Sequence, residues 1–302
     1  MRFGYNALPQ TPNPTTPEFL LMPAHVKANA QTKAKAAEPS ALILLREDIG
    51  EIAILTLNRP QARNSLSEAM LAALSDALTA VAHERSVRAV LITANGPAFS
   101  AGHDLKELNA RRTDPDRGRG YFKHIMGLCS TVMQQIVRLP QPVIAAVQAT
   151  ATAAGCQLVA SCDLAVAARS AKFATPGVNI GLFCSTPMVA LSRNVPRKQA
   201  MQMLLTGEMI TAEEAARIGL VNHVVAPGSE RAEALKLAKK ITAKSALTLK
   251  IGKEAFYRQI EMPLGEAYDY ASHVMVENML ARDAVEGISA FIDKREPKWE
   301  DR

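Results

Sequence analysis

From Leu42 onward the spacing of apolar residues switches repeatedly between strand-like and helix-like, and this switching limits the fold more than any single motif. "LILLREDIGEIAILTLNRP" (residues 42–60) holds two apolar runs about a turn at Asp48, Ile49 and Gly50, a hairpin pattern that Pro60 stops. Ser67 then precedes Leu71, Leu74 and Leu78 at helical spacing, as an N-cap would. "VRAVLIT" predicts a strand, "ANGPAFSAGHD" a loop, residues 121–139 a helix, and "PVIAAV" a strand after Pro140 and Pro142. "GCQLVASCDLAVAA" predicts a short helix running into a buried strand, with Asp163 at the join. Beyond Thr211 the pattern is almost wholly helical, with Thr211 and Ser229 as expected N-caps. Strand-helix succession followed by helices predicts an α/β core over 41–228 and a C-terminal helical region over 229–302.

With 302 residues, 48% of them hydrophobic, the chain buries a large core, and disorder of the bulk is excluded. Residues 1–40 are rich in Pro, Thr and Ala without a steady period and predict a flexible leader; a single Arg2 and a single Ser40 are too few for a transit peptide. Cys129, Cys156, Cys162 and Cys184 show no paired spacing, which argues against a disulfide framework or a metal site and for reduced thiols. That places the chain in a reducing compartment, the cytoplasm or, for a eukaryotic chain, the mitochondrion. No apolar run approaches the ~18 residues of a membrane span.

The net charge of +6 suits a phosphate-bearing ligand, while zinc-finger spacing and aromatic-interleaved basic stripes, the marks of nucleic-acid binding, are missing. The lysines from Lys236 to Lys253 fit either that ligand or a solvated helix face. "NARRTDPDRGRG" (residues 109–120) predicts a mobile surface loop.

Two stretches carry chemistry. "GPAFSAGHDLKEL" and "ATAAGCQLVASCD" each put small residues between a strand end and a helix start, where backbone N–H groups have no intrahelical partner. Aimed at one point, two such donors hold a carbonyl oxygen whose negative charge grows during reaction. The other reading is two ordinary tight turns.

"NRPQARNSL", "AFSAGHDLKEL", "AGCQLVASCDLAVAA", "TAEEAARIGLVNHVV" and "GISAFIDKREP" together resemble, in order, segments of the enoyl-CoA hydratase/isomerase (crotonase) superfamily, from about Leu42 to the C-terminus. The resemblance implies a spiral core of repeated ββα turns, a C-terminal helical trimerisation region, and homotrimers able to pair into hexamers. It implies an acyl-CoA thioester as ligand, with coenzyme A part of the substrate and no separate cofactor or metal. It assigns the oxyanion donors to the backbone N–H groups of His103 and Ala154. The His103 imidazole then either enters the pocket or faces solvent, and Asp104 caps the following turn instead of acting as an acid. Arg63 and Lys106 would meet phosphates, the Ala101 backbone would meet adenine, and Asp104 and Leu105 would border the ligand. Phe291 and Lys294 would reach a neighbouring subunit's nucleotide.

The pattern breaks at the acid/base positions. Hydration of a conjugated thioester uses two glutamates in this superfamily; the resemblance puts Gln157 at the first position and Gly177 at the second. Ser185 stands where some isomerases carry a carboxylate, and neither it nor Cys184 has a nucleophile elbow or an identifiable base. The readings are an enzyme using the oxyanion pair with other groups (a thioesterase, decarboxylase or isomerase), an acyl-CoA binding or sensing protein, and a slow hydratase.

Overall fold

The structure is a computed structural model and describes residues 42–302, so the leader expected over 1–40 lies outside the described residues. In chain order the strands are β1 (Leu44–Ile49), β2 (Ile52–Leu57), β3 (Ala89–Ala94), β4 (Ala98–Ser100), β5 (Val143–Val147), β6 (Thr150–Thr152), β7 (Leu164–Ala168), β8 (Lys172–Ala174), β9 (Ile210–Thr211) and β10 (His223–Val225). The first helices are α1 (Glu68–His83), α2 (Leu105–Ala110), α3 (Arg119–Arg138), α4 (Ala154–Ser161), α5 (Ser185–Asn194) and α6 (Arg197–Thr206). They are followed by α7 (Ala212–Arg217), α8 (Glu230–Thr242), α9 (Ala246–Gln259), α10 (Leu264–Leu280) and α11 (Arg282–Ile292). None of these helices is long and apolar enough to cross a membrane.

The first sheet has the order β1-β2-β3-β5-β7-β10, with an antiparallel hairpin at β1–β2 and parallel pairing throughout the rest. Its central strands are apolar on both faces because both are covered. Ala53, Leu55, Leu57, Val90, Ile92, Val143 and Ala145 join the α1 and α3 side of the core. The intervening Ile52, Ile54, Ala89, Leu91, Ile144 and Ala146 face α8, which contributes Ala234 and Ala238. The stretch 229–302 therefore begins with a helix laid on the sheet; α9 and α10, by contrast, bury no whole residue, although the side chain of Lys253 in α9 is enclosed.

A second sheet, β4-β6-β8-β9, was not legible in the sequence and is the one that frames the site. Strands β4, β6 and β8 run parallel, with Ser100 beside Ala151 and Thr152 beside Ala174, so the chain leaves all three at the same edge. Two further expectations are corrected. Residues 109–120 form the end of α2, a 3-10 turn at Arg111–Thr113, and a turn in which the Asp116 carboxylate accepts the N–H groups of Gly118 and Gly120. Lys253 is buried in an ion pair with Asp163, so the lysine run is not uniformly a solvated face. Thr211 and Ser229 stand at the N-cap positions of α7 and α8 as expected, Thr211 capping through the Glu214 N–H and Ser229 without a side-chain bond.

Candidate active site

The edge where β4, β6 and β8 end is built by loops pressed unusually close. Asn64, fully buried, accepts the Arg59 N–H at 2.8 Å and donates to the Asn95 and Ala98 carbonyls at 2.8 Å each. Ser100 donates its hydroxyl to the Asn64 carbonyl, and the Ala101 N–H donates to the Arg63 carbonyl at 3.0 Å. Next in the chain, Gly102 adopts φ +87°, and a Cβ there would lie 2.8 Å from the Ala153 Cβ and 3.1 Å from the Ala154 nitrogen. A Cβ on Gly155 would overlap the Ser100 carbonyl. Bare backbone at these two positions lets the 100–103 and 152–155 segments touch.

The Ala153 N–H donates to the Ala174 carbonyl at 2.9 Å, and the Ala153 carbonyl takes the Gln157 N–H at 3.0 Å. This pins Ala153 at φ +49°, ψ −119°, a costly backbone conformation for a residue with a Cβ. Ala154, one residue on, opens α4, so its N–H is one of that helix's orphan donors. Among the described residues, neither the Ala154 N–H nor the His103 N–H makes a hydrogen bond.

Three uncharged side chains in these segments, His103, Gln157 and Thr175, each hold an enclosed polar atom without a partner. Nε2 of the half-buried His103 is sealed without a partner, and burial pulls the ring's pKa down, holding it neutral. Gln157, 5% exposed, has its Oε1 unpartnered, as is the Oγ1 of the fully buried Thr175. Thr175 was missed in the sequence; its only signal is a hydroxyl residue before a proline in "FATPG". A Cβ on Gly177 would lie 2.7 Å from the Leu182 carbonyl and 2.9 Å from the Cys184 sulfur, which accepts the Gly177 N–H at 3.3 Å. A side chain at 177 therefore has no room while residues 182–184 keep their place. Burial raises the thiol pKa of Cys184 and, with Cys184 as a secondary cause, pushes Cys156 up to about 12, so neither is a ready nucleophile. Ser185 is exposed and donates to the Phe183 carbonyl, not to a base.

Arg63, Ala101, Leu105 and Lys106 are all exposed. Asp104 caps α2 through the Lys106 and Glu107 N–H groups, accepts the Ser65 hydroxyl and pairs with Arg59 at 2.8 Å. Its burial works to raise its pKa, but these hydrogen bonds outweigh that and hold it low, so it stays ionised. Phe291 and Lys294 are not brought to this rim by any hydrogen bond or ion pair among the described residues. Phe291 is 85% exposed, which also rules out a core role within the chain.

A family model described as enoyl-CoA hydratase/isomerase matches residues 47–302. The chain belongs to the enoyl-CoA hydratase/isomerase family. A Mus musculus protein, "Enoyl-CoA hydratase domain-containing protein 3, mitochondrial", is 50% identical over 245 residues, 81% of this chain and 80% of the mouse protein. The Homo sapiens protein of that name is 48% identical over 245 residues, 81% of this chain and 79% of its own length. Its crystal structure superposes with a TM-score of 0.81 at 46% identity, covering 85% of this chain and 100% of that one. A crystal structure titled enoyl-CoA hydratase from Mycobacterium smegmatis also reaches 0.81, at 53% identity over 87% of this chain and 99% of that one. The enoyl-CoA hydratase/isomerase fold, a parallel-sheet α/β core with C-terminal helices, is thus common to this chain and these relatives.

Proposed function

We propose that the protein binds an acyl-CoA thioester and polarises its carbonyl between the backbone N–H groups of His103 and Ala154. The observation that carries this reading is the contact of Gly102 with Ala154, which brings together two segments that each keep one unpaired donor. Fixed donors at a developing oxyanion are among the strongest catalytic devices available; losing one costs about a hundred- to a thousandfold in rate. Strain held at Ala153 beside those donors supports chemistry over mere binding.

Efficient hydration does not fit these residues. Gln157 has no usable proton and Gly177 no side chain, so the pair that would move protons to and from water is missing. The unpartnered, uncharged groups of His103, Gln157 and Thr175 support a step that needs no carboxylate. Loss of CO2 from a 2-carboxyacyl thioester is one: the C–C bond breaks, its electron pair flows into the thioester oxygen, and solvent later supplies the proton. Thioester hydrolysis and isomerisation are the neighbouring enzyme readings, ahead of a binder without turnover.

Arg63 and Lys106 would meet the coenzyme A phosphates, with Asp104 and Leu105 bordering the ligand. The Ala101 N–H is already used by Arg63, so its carbonyl is the group left for adenine. Exposed apolar residues of α9 to α11, among them Phe256, Met275 and Ile288, support a homotrimer. In it Phe291 and Lys294 would reach a neighbouring subunit's nucleotide. No cofactor beyond the substrate's coenzyme A enters this reading. The names of the mammalian relatives favour the mitochondrion for a eukaryotic chain.

The test is a panel of enoyl, saturated, 2-carboxy and 3-hydroxy thioesters incubated with the protein and analysed for hydrated, isomerised, decarboxylated and hydrolysed products. Saturable binding without product would leave the sensing role; no binding of any thioester would overturn the proposal.

A further inference from the structure

We infer that Lys253 and Tyr257 are positioning residues that join the α9–α10 pair to α4 through Asp163, so that the helix pair and the Ala154 donor move as one coupled unit. Asp163 lies just past the C-terminal end of α4, in the link to β7. Its Oδ2 accepts Lys253 Nζ and the Val143 N–H, each at 2.6 Å, its Oδ1 accepts the Tyr257 hydroxyl at 2.9 Å, and its own N–H donates to the Val143 carbonyl. Lys253 Nζ also donates to the Ile136 and Gln141 carbonyls at 3.0 Å each, which uses all three of its protons. The Lys253 and Asp163 side chains are 7% and 15% exposed.

The start of α9 is tied separately, by the Ala246 N–H donating to the Asp301 carboxylate at 2.7 Å and by the buried N-cap Ser245. The ion pair from Arg193 to Glu261, between α9 and α10, has both side chains more than half exposed and contributes little. The Asp163 cluster is the buried joint between this pair and the end of α4. At its other side stands α4, every residue of which is buried, a rod about 12 Å long that ends at Ala154. A shift of Asp163 has no slack to absorb it before it reaches the donor. Coupling of this kind is reciprocal: what binds at Ala154 steadies α9 and α10, and what loosens them weakens binding.

The inference rests on the thioester reading only for its ligand arm. The test is amide hydrogen exchange on the full chain, without ligand, for the wild type and Tyr257→Phe. Faster exchange, by about an order of magnitude, is expected in both 246–280 and 154–161 with 89–94 unchanged. Acceleration confined to 246–280, or spread equally over all segments, would overturn it. In the ligand arm, butyryl-CoA is expected to slow exchange over 246–280 in the wild type and to bind Tyr257→Phe about tenfold more weakly. Equal binding by both proteins would overturn the coupling. A wild type that binds no thioester would overturn the function reading instead, leaving the ligand-free arm to decide. Should Tyr257→Phe not fold, butyryl-CoA protection of 246–280 in the wild type decides: its appearance supports the coupling and its absence refutes it.

Discussion

A Cβ placed on Gly102 would lie 3.1 Å from the main-chain nitrogen of Ala154, so the loop after β4 and the first turn of α4 meet with no space for a methyl group. Gly102→Ala is expected to push the two segments apart and to strain a backbone held at φ +87°. The cost should be about 1–3 kcal/mol of stability. Acyl-CoA affinity should fall more than that of free coenzyme A, since Arg63 and Lys106, the proposed phosphate contacts, remain. Urea melts and calorimetric titrations with both ligands check this.

Placing glutamates at the two proposed acid/base positions, 157 and 177, should not create a hydratase. A glutamate at 177 meets the Leu182 carbonyl and the Cys184 sulfur, and is expected to cost about 1–3 kcal/mol through overpacking. A glutamate at 157, almost fully enclosed, would have its pKa raised by burial and stay largely protonated near neutrality. The Gln157→Glu, Gly177→Glu double variant is therefore expected to add no hydration of crotonyl-CoA over the wild type, read by mass spectrometry.

His103 gives the fold a defined acid sensitivity. Burial lowers its folded pKa below the ordinary 6.5, so at pH values between the folded and unfolded pKa the unfolded chain binds more protons. Stability is then fully present above about 6.5 and is lost as pH falls through that value toward the folded pKa. The contribution is at most about 1.4 kcal/mol per pH unit. Urea midpoints measured from pH 7.5 to 5 are expected to fall more steeply for the wild type than for His103→Gln.

Asp104 acts by capping. Asp104→Ala removes the acceptor of the Lys106 and Glu107 N–H groups and unpairs Arg59, with an expected cost of about 1–2 kcal/mol. Asp104→Asn keeps a capping oxygen and should lose less, and neither variant should change the pH dependence of any thioester turnover. Thermal melts and a pH–rate profile check both points.

Much of the frame was legible because long segments carry a clear period. The hairpin at Leu44–Leu57, the strands at Ala89–Ala94 and Val143–Val147, and the step from α4 into β7 all follow apolar spacing. The strands of the second sheet escape because three residues, as at Ala98–Ser100 or Thr150–Thr152, are too few to show alternation. Helices α5 and α6 are hidden by Pro187 and Pro196 and by the small, apolar run before them. Small residues around Gly102 and Gly155 marked the two loops as sources of free backbone donors, but the partner of each glycine lies in the other loop and is invisible locally. Lys253 shows the same limit, since the Asp163 that buries it is 90 residues away in sequence.

The central claim, that one thioester oxygen takes both main-chain donors, is tested most directly by a crystal structure with butyryl-CoA bound. The expected result is a carbonyl oxygen about 2.7–3.1 Å from both the His103 and the Ala154 nitrogens. A bound thioester whose oxygen reaches only one of them, or neither, would contradict it.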